Sequence, residues 1–182
     1  MKRMLATGIT FVLSMTMACR HQAVTSSVPG IPQSAELASM QPDQLNTAGW
    51  ENAWTNLLNV AEQSFTPSLP KLLGVEVELI VGNPGDLQDE LTLTVLDEQD
   101  QKLAIVTQTV EVANPDRGLF IMPKGGIELS PGKVYRMRLT GGATFGWKYV
   151  VGGYKNGDAT FNGKPLMSQA RSTFLFRTFG DK

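Results

Sequence analysis

The chain reads as an all-β domain, a sandwich of two antiparallel sheets of the jelly-roll or Greek-key type, behind an export signal and a tether. Three observations predict it. Segments alternating apolar and polar residues recur at spacings of roughly 8 to 14 residues, as they do in sandwiches. Turn formers are frequent, with 10 Pro and 18 Gly in 182 residues, and they punctuate the gaps between those segments. No convincing helical period separates the segments, and no internal repeat points to a propeller or a solenoid.

The N-terminus carries two positive charges, Lys2 and Arg3, and then runs from Met4 to Ala18 without a charge. A basic start, a short apolar stretch and a small residue before the cut form a secretory signal, residues 1–18. The stretch is shorter than the roughly 20 apolar residues of a membrane span, and Thr7, Thr10, Ser14 and Thr16 dilute it further. Met17-Ala18-Cys19 resembles the lipobox of bacterial lipoproteins, with Thr16 standing where Leu is usual. That resemblance implies acylation of Cys19 and a membrane anchor on the periplasmic or outer surface. The alternative is ordinary cleavage after Ala18, which leaves an odd free thiol in an oxidising compartment.

Removing the signal takes 16 basic residues to 14 against 17 acidic, a net charge of −3. No basic face is implied and a nucleic-acid partner is not expected. Cys19 is the single cysteine, so packing and strand pairing must hold the domain without a disulfide.

Residues 19–40 are polar, with Pro29, Gly30 and Pro32, and read as a flexible tether. The sandwich is expected over 41–182. Between Ser34 and Val60 two readings stand. Trp50, Trp54, Leu57 and Leu58 fall near helical spacing, which suits a short helix. The preferred reading has a first strand near Gln44–Asn46, a loop bearing the tryptophans and a second strand beginning at Leu57.

Beyond this the period is two. Val75, Val77, Leu79 and Val81 alternate with Glu76, Glu78 and Ile80. Asn83-Pro84-Gly85-Asp86 supplies a turn, and Leu91, Leu93 and Val95 alternate with Thr92 and Thr94. Leu103 to Val112, Leu119 to Met122 and Ile127 to Ser130 are further β-prone runs. Tyr135, Met137 and Leu139 then share one face, opposite Arg136 and Arg138. Trp147–Val151, Ala159–Phe161 and Thr173–Phe179 complete the set.

Gln63-Ser-Phe-Thr-Pro67 followed by Leu73-Gly-Val-Glu-Val-Glu-Leu79 resembles the opening of exported bacterial jelly-roll modules of the galactose-binding-like type. Leu129-Ser-Pro-Gly-Lys-Val-Tyr135 resembles their late hairpin. Gly152-Gly-Tyr154, Gly157-Asp-Ala159 and Phe174-Leu-Phe-Arg177 fit their last strands. The resemblance spans roughly residues 43 to 180, and its motifs are structural. It implies the fold and, by analogy, carbohydrate or cell-surface binding; it carries over no ligand residue.

Catalysis is not expected. The sole histidine, His21, sits in the tether, where nothing positions a general base. Gly157 to Lys164 has the wrong spacing for a phosphate loop, and Pro165 stands where Ser or Thr should hold the metal. Asp86, Asp89, Glu90, Asp97 and Asp100 cluster in turn-like segments, where carboxylates commonly bond the local backbone. Asn83, Asp86 and Asp89 could supply oxygens to a structural calcium, as could Asn156 and Asp158; no other cofactor is implied.

The candidate ligand site is the stretch from Thr144 to Asn162. It gathers Trp147, Tyr149 and Tyr154 beside Asn156, Asp158 and Asn162, the aromatic plate and hydrogen-bonding groups that a sugar requires. The competing reading puts Trp147 and Tyr149 in the core, because alternation places them on one strand face. Trp50 and Trp54 join the ligand candidates if they lie on a loop. The expected function is a surface-tethered binding module for carbohydrate or another envelope component. The alternative is an assembly lipoprotein that contacts envelope proteins, with an oligomeric state the residues do not set.

Overall fold

In strand after strand, apolar side chains at every second residue turn one face inward, and two such faces close on each other. The computed structural model describes residues 34–48, 50–83, 85–113, 117–166 and 171–182, with the side chains of residues 50–52 outside the description. The signal, Cys19 and most of the tether lie outside the described residues.

Helix α1 (Ser34–Ser39) comes first, then β1 (Gln44–Asn46), β2 (Trp50–Asn56), β3 (Ala61–Phe65), β4 (Lys71–Val81) and β5 (Gln88–Leu96). The chain continues with β6 (Lys102–Glu111), β7 (Arg117–Ile121), β8 (Ile127–Glu128), β9 (Tyr135–Thr140) and β10 (Phe145–Val151). It closes with β11 (Ala159–Phe161), β12 (Lys164–Pro165), β13 (Ser172–Phe174) and β14 (Phe176–Asp181). The chain is all-β, and every pairing between strands is antiparallel.

One sheet has six strands in the order β12-β11-β3-β9-β5-β6. The other has eight, running β1-β14-β4-β10-β13, with β2 added on β10 and β7 and β8 on β4. Val75, Val77 and Leu79 of β4 meet Leu91, Leu93 and Val95 of β5 and Met137 and Leu139 of β9 in one core. Trp147, Phe65, Phe120, Phe145, Phe174 and Phe176 fill its centre, all fully buried.

The larger sheet contains a fork. β4 and β10 pair through Leu79–Val81 and Phe145–Trp147 and then part, and β13 and β14 run along both. β13 pairs with Tyr149–Val151 of β10, while β14 pairs with β4. Leu175 sits where they meet. Its N–H donates to the Lys148 carbonyl at 2.9 Å, and its carbonyl accepts from the Glu78 N–H at 3.2 Å. The Trp147 indole Nε1–H donates to that same carbonyl at 2.8 Å, and its ring stacks on Phe174 with centroids 4.3 Å apart.

At Phe174 two side-chain amides do the work of a neighbouring strand. Gln63 of β3 is fully buried, reaches across from the other sheet, and its Oε1 accepts the Phe174 N–H at 2.8 Å. Asn46 of β1 donates to the Phe174 carbonyl and to Thr173 Oγ1.

Two expectations change. The last residues assigned to the tether, 34–39, form α1, whose Leu37 is fully buried against Leu73 and Phe179 on the outer face of the larger sheet. The tryptophans of residues 50–58 lie on neither a helix nor a loop. They belong to strand β2, which pairs with β10 along Gly146–Val151. Leu57, expected to begin a strand, instead starts the turn that follows. The near-helical spacing misleads because it runs across an element boundary: Trp50 and Trp54 fall on β2, while Leu57 and Leu58 fall in the turn after it.

The Gln63 amide provides a test. Gln63→Leu keeps the volume and leaves the Phe174 N–H buried without an acceptor. It should lower unfolding stability by about 1–3 kcal/mol with little change in m-value, measured by urea titration.

Candidate functional site

Alternation along β10 decides the fate of the expected sugar plate. Phe145 and Trp147 point inward, while Gly146 and Lys148 take the outer face. Trp147 is therefore core and presents no face to a ligand, contrary to its candidacy. Tyr149 is half-buried against the same core, edge-on to Phe174 at 84°. Tyr154 is buried edge-on to Phe176, its centroid 5.1 Å away. Its hydroxyl donates to Gln44 Oε1 at 2.7 Å and accepts from the Thr66 N–H at 3.2 Å. Tyr154 thus joins β1 to the segment after β3, and its ring is no free platform.

The three polar candidates are exposed and mostly serve turns. The Asn156 carbonyl accepts from Thr66 Oγ1. Asp158 pairs with Arg171 at 3.1 Å, while its carbonyl accepts from the Ser64 N–H. Asn162 adopts φ +51° in the β11–β12 turn, where its Oδ1 accepts from the Val60 N–H. Tyr154 and Asn156 do share one feature, a cleft of about 450 Å³ that Gln44, Asn46, Thr47 and Lys155 also line. The six candidates do not assemble into one plate.

The oxygens considered for calcium are drawn elsewhere. Asn83 Oδ1 accepts from the Gly85 N–H, and the Asp89 carboxylate accepts from the N–H groups of Glu90 and Thr144. Asp89 thereby ties the start of β5 to the β9–β10 turn, and Asp86 is exposed. Among the described residues no group of three or more His, Cys, Asp or Glu side chains could hold a metal.

An exposed aromatic plate exists one strand away. Trp54 of β2 lies opposite Lys148 in the register and remains 41% exposed. Its six-membered ring lies across β10 onto β4: a Cβ on Gly82 would stand 2.6 Å from it, and one on Gly146 would also collide with it. Only glycine leaves the space, so the backbone itself holds the indole. Around it stand Lys148, Asn56 on the same face of β2, and Asn83 just beyond Gly82. Asn56 and Asn83 both accept a nearby backbone N–H on their side-chain oxygen, and Asn83 is exposed while Asn56 is half-buried. Lys148 forms no ion pair among the described residues. The sequence signal for this plate was Gly146 inside β10, with Gly82 just past the end of β4, since a glycine inside a strand often marks the close approach of another group.

The outer face of the larger sheet has a second groove, about 280 Å³, beside α1. Its floor is Glu76, clamped by Arg177 at 2.7 Å and Arg117 at 3.5 Å. That carboxylate is paired with both guanidinium groups, and among the described residues lining the groove it is the one acid.

Compared with protein-family models and with curated proteins, the chain matches none. What stands is the architecture, a β-sandwich compatible with a jelly-roll domain. Among the described residues no helix is long and apolar enough to cross a membrane.

Burial pushes the Tyr154 hydroxyl above the usual tyrosine value of 10.0; the Thr66 N–H partly opposes this, and Asp43 adds to it. A raised folded value means the neutral phenol is favoured in the native state. Its contribution is complete below the unfolded tyrosine pKa of about 10 and is lost as pH rises through the folded value. Thermal melts across alkaline pH should therefore show a steeper fall in Tm for the wild type than for Tyr154→Phe. Equal slopes would place the ionisation elsewhere.

Proposed function

We propose that this chain is an exported, non-catalytic binding module that takes carbohydrate of the cell envelope on the Trp54 plate. The observation that carries the reading is Trp54 itself, a large ring seated on backbone with its other face open. Sugar rings present an apolar face of C–H groups to such a plate, while nearby donors meet the hydroxyls. Lys148, Asn56 and Asn83 are groups of that kind. The seat on Gly82 and Gly146 fixes the ring before a ligand arrives, which limits the entropy lost on binding.

The test is glycan-array binding followed by titration of the bound glycan against the full chain. Trp54→Ala should weaken binding at least about tenfold, equivalent to about 1.4 kcal/mol. Trp54→Phe should retain a part of it, and Tyr154→Phe should bind as wild type because that hydroxyl faces Gln44 and Thr66. A chain that binds no glycan ends the carbohydrate reading.

A second reading is favoured by a specific observation. Leu58 and Leu87 are 64% and 84% exposed in turns at the end of the sandwich that also carries the β9–β10 turn. Such apolar groups suit an assembly lipoprotein contacting envelope proteins, and the pull-down that would follow a blank glycan array addresses it.

Acylation of Cys19 is the proposed means of retention, supported by the lipobox-like Met17-Ala18-Cys19 after an apolar run. Several buried acyl chains contribute about 0.8 kcal/mol per CH₂, ample for stable anchoring. Cys19→Ser should move the protein from the membrane pellet to the soluble fraction and abolish labelling by a fatty-acid analogue. Retention in the pellet without label would refute the anchor.

A further inference from the structure

We propose that the outer edge of β6, which pairs with no strand among the described residues, pairs with β6 of a second copy of this chain, antiparallel, about a two-fold axis at Thr107. Edge strands present unpaired N–H and C=O groups and are ordinarily blunted by brevity, proline or charge. The opposite edge of the same sheet is blunted in this way, because β12 has two residues and one is Pro165. β6 is different. It runs ten residues, and from Leu103 to Val110 it carries no charge, no proline and no glycine. Ile105, 54% exposed, stands on its outer face.

The register within the sheet shows why the second copy is the occupant. Thr140, Thr92 and Thr107 form a row across β9, β5 and β6, with the hydroxyls of Thr92 and Thr107 2.9 Å apart. The row stops at this outer edge on Thr107. A two-fold axis normal to the sheet keeps outer faces together, so Thr107 meets its counterpart and the row continues into the partner copy. Ile105 then lies opposite Thr109 of the other copy.

The ends of the strand complete the match. The β5–β6 ladder skips Leu103, so Val95 pairs with Ala104 and Leu96 with Lys102. This bulge places Lys102 on the outer face, two ladder positions from Ile105. The same two-fold axis brings Lys102 opposite Glu111 of the other copy, once at each end. A parallel arrangement would instead set Lys102 against Lys102 and Glu111 against Glu111. Opposite charges facing each other across strands stabilise the pair, and like charges oppose it.

The test uses the full chain carrying Cys19→Ser, so that no native thiol remains. Sedimentation velocity over a concentration series should give a dimer. Thr107→Cys should form an intermolecular disulfide on mild oxidation, because directly opposed strand residues lie within the Cα separation a disulfide requires. Thr109→Cys should not cross-link, because it faces Ile105. Lys102→Glu and Glu111→Lys should each favour monomer, and the double exchange should restore the dimer. A chain monomeric at every concentration overturns the proposal. So does a dimer in which Thr109→Cys cross-links as readily as Thr107→Cys, or one indifferent to both charge changes.

Discussion

Everything in the larger sheet depends on how the chain around Phe174 and Leu175 is held. β4 and β10 pair for only three residues and then separate, and a single passing strand must satisfy both. It does so by turning the Leu175 N–H and C=O to the same side, one to Lys148 and the other to Glu78. The preceding residue, Phe174, is left with backbone groups no strand reaches. Buried backbone groups without partners are costly, and the protein answers with Gln63 and Asn46. Gln63 comes from the opposite sheet, so the same hydrogen bond that repairs the ladder also fixes how the two sheets sit on each other.

This arrangement explains why Trp147 is in the core. Its indole N–H needs an acceptor when buried, and the Leu175 carbonyl at the fork supplies one while Phe174 stacks beneath the ring. Trp147, Phe174, Leu175 and Gln63 therefore act as one joint. A loop aromatic would have needed none of these partners, and the density of partners is what marks Trp147 as structural and sets it apart from the exposed Trp54.

Much of the fold was legible because period two is a direct record of sidedness. Val75, Val77 and Leu79, then Leu91, Leu93 and Val95, then Tyr135, Met137 and Leu139 all face inward as their alternation requires. The strand at Gln44–Asn46 was readable from the sequence as well. The fork was not, since the long β-prone run of Thr173–Phe179 gives no local sign that its neighbour changes at Leu175. Nor was β2, because Trp50, Trp54, Leu57 and Leu58 fall near helical spacing while the strand itself stops at Asn56. The site was less legible still. Proximity along the chain gathered Trp147, Tyr149, Tyr154, Asn156, Asp158 and Asn162, but pairing sends their side chains to the core, to a cleft and to two turns. The exposed plate draws on β2, β4 and β10, and only the long-range register brings Trp54, Gly82 and Gly146 together.

The seat beneath Trp54 also bears on what the residue is for. Gly146 in β10 and Gly82 just past β4 lose side-chain packing and bare their backbone, and a neighbouring aromatic commonly covers such a gap. If cover were the whole role, nothing would require the glycines themselves. A small side chain at Gly82 or Gly146 would protect the ladder directly and spare the backbone entropy that glycine costs. The pair instead lowers the floor on which the indole rests, so that the ring lies low across the sheet and keeps one face to solvent. Glycine floor and aromatic cover make sense together as a preorganised surface, whereas either one alone would be an inferior way to build a strand.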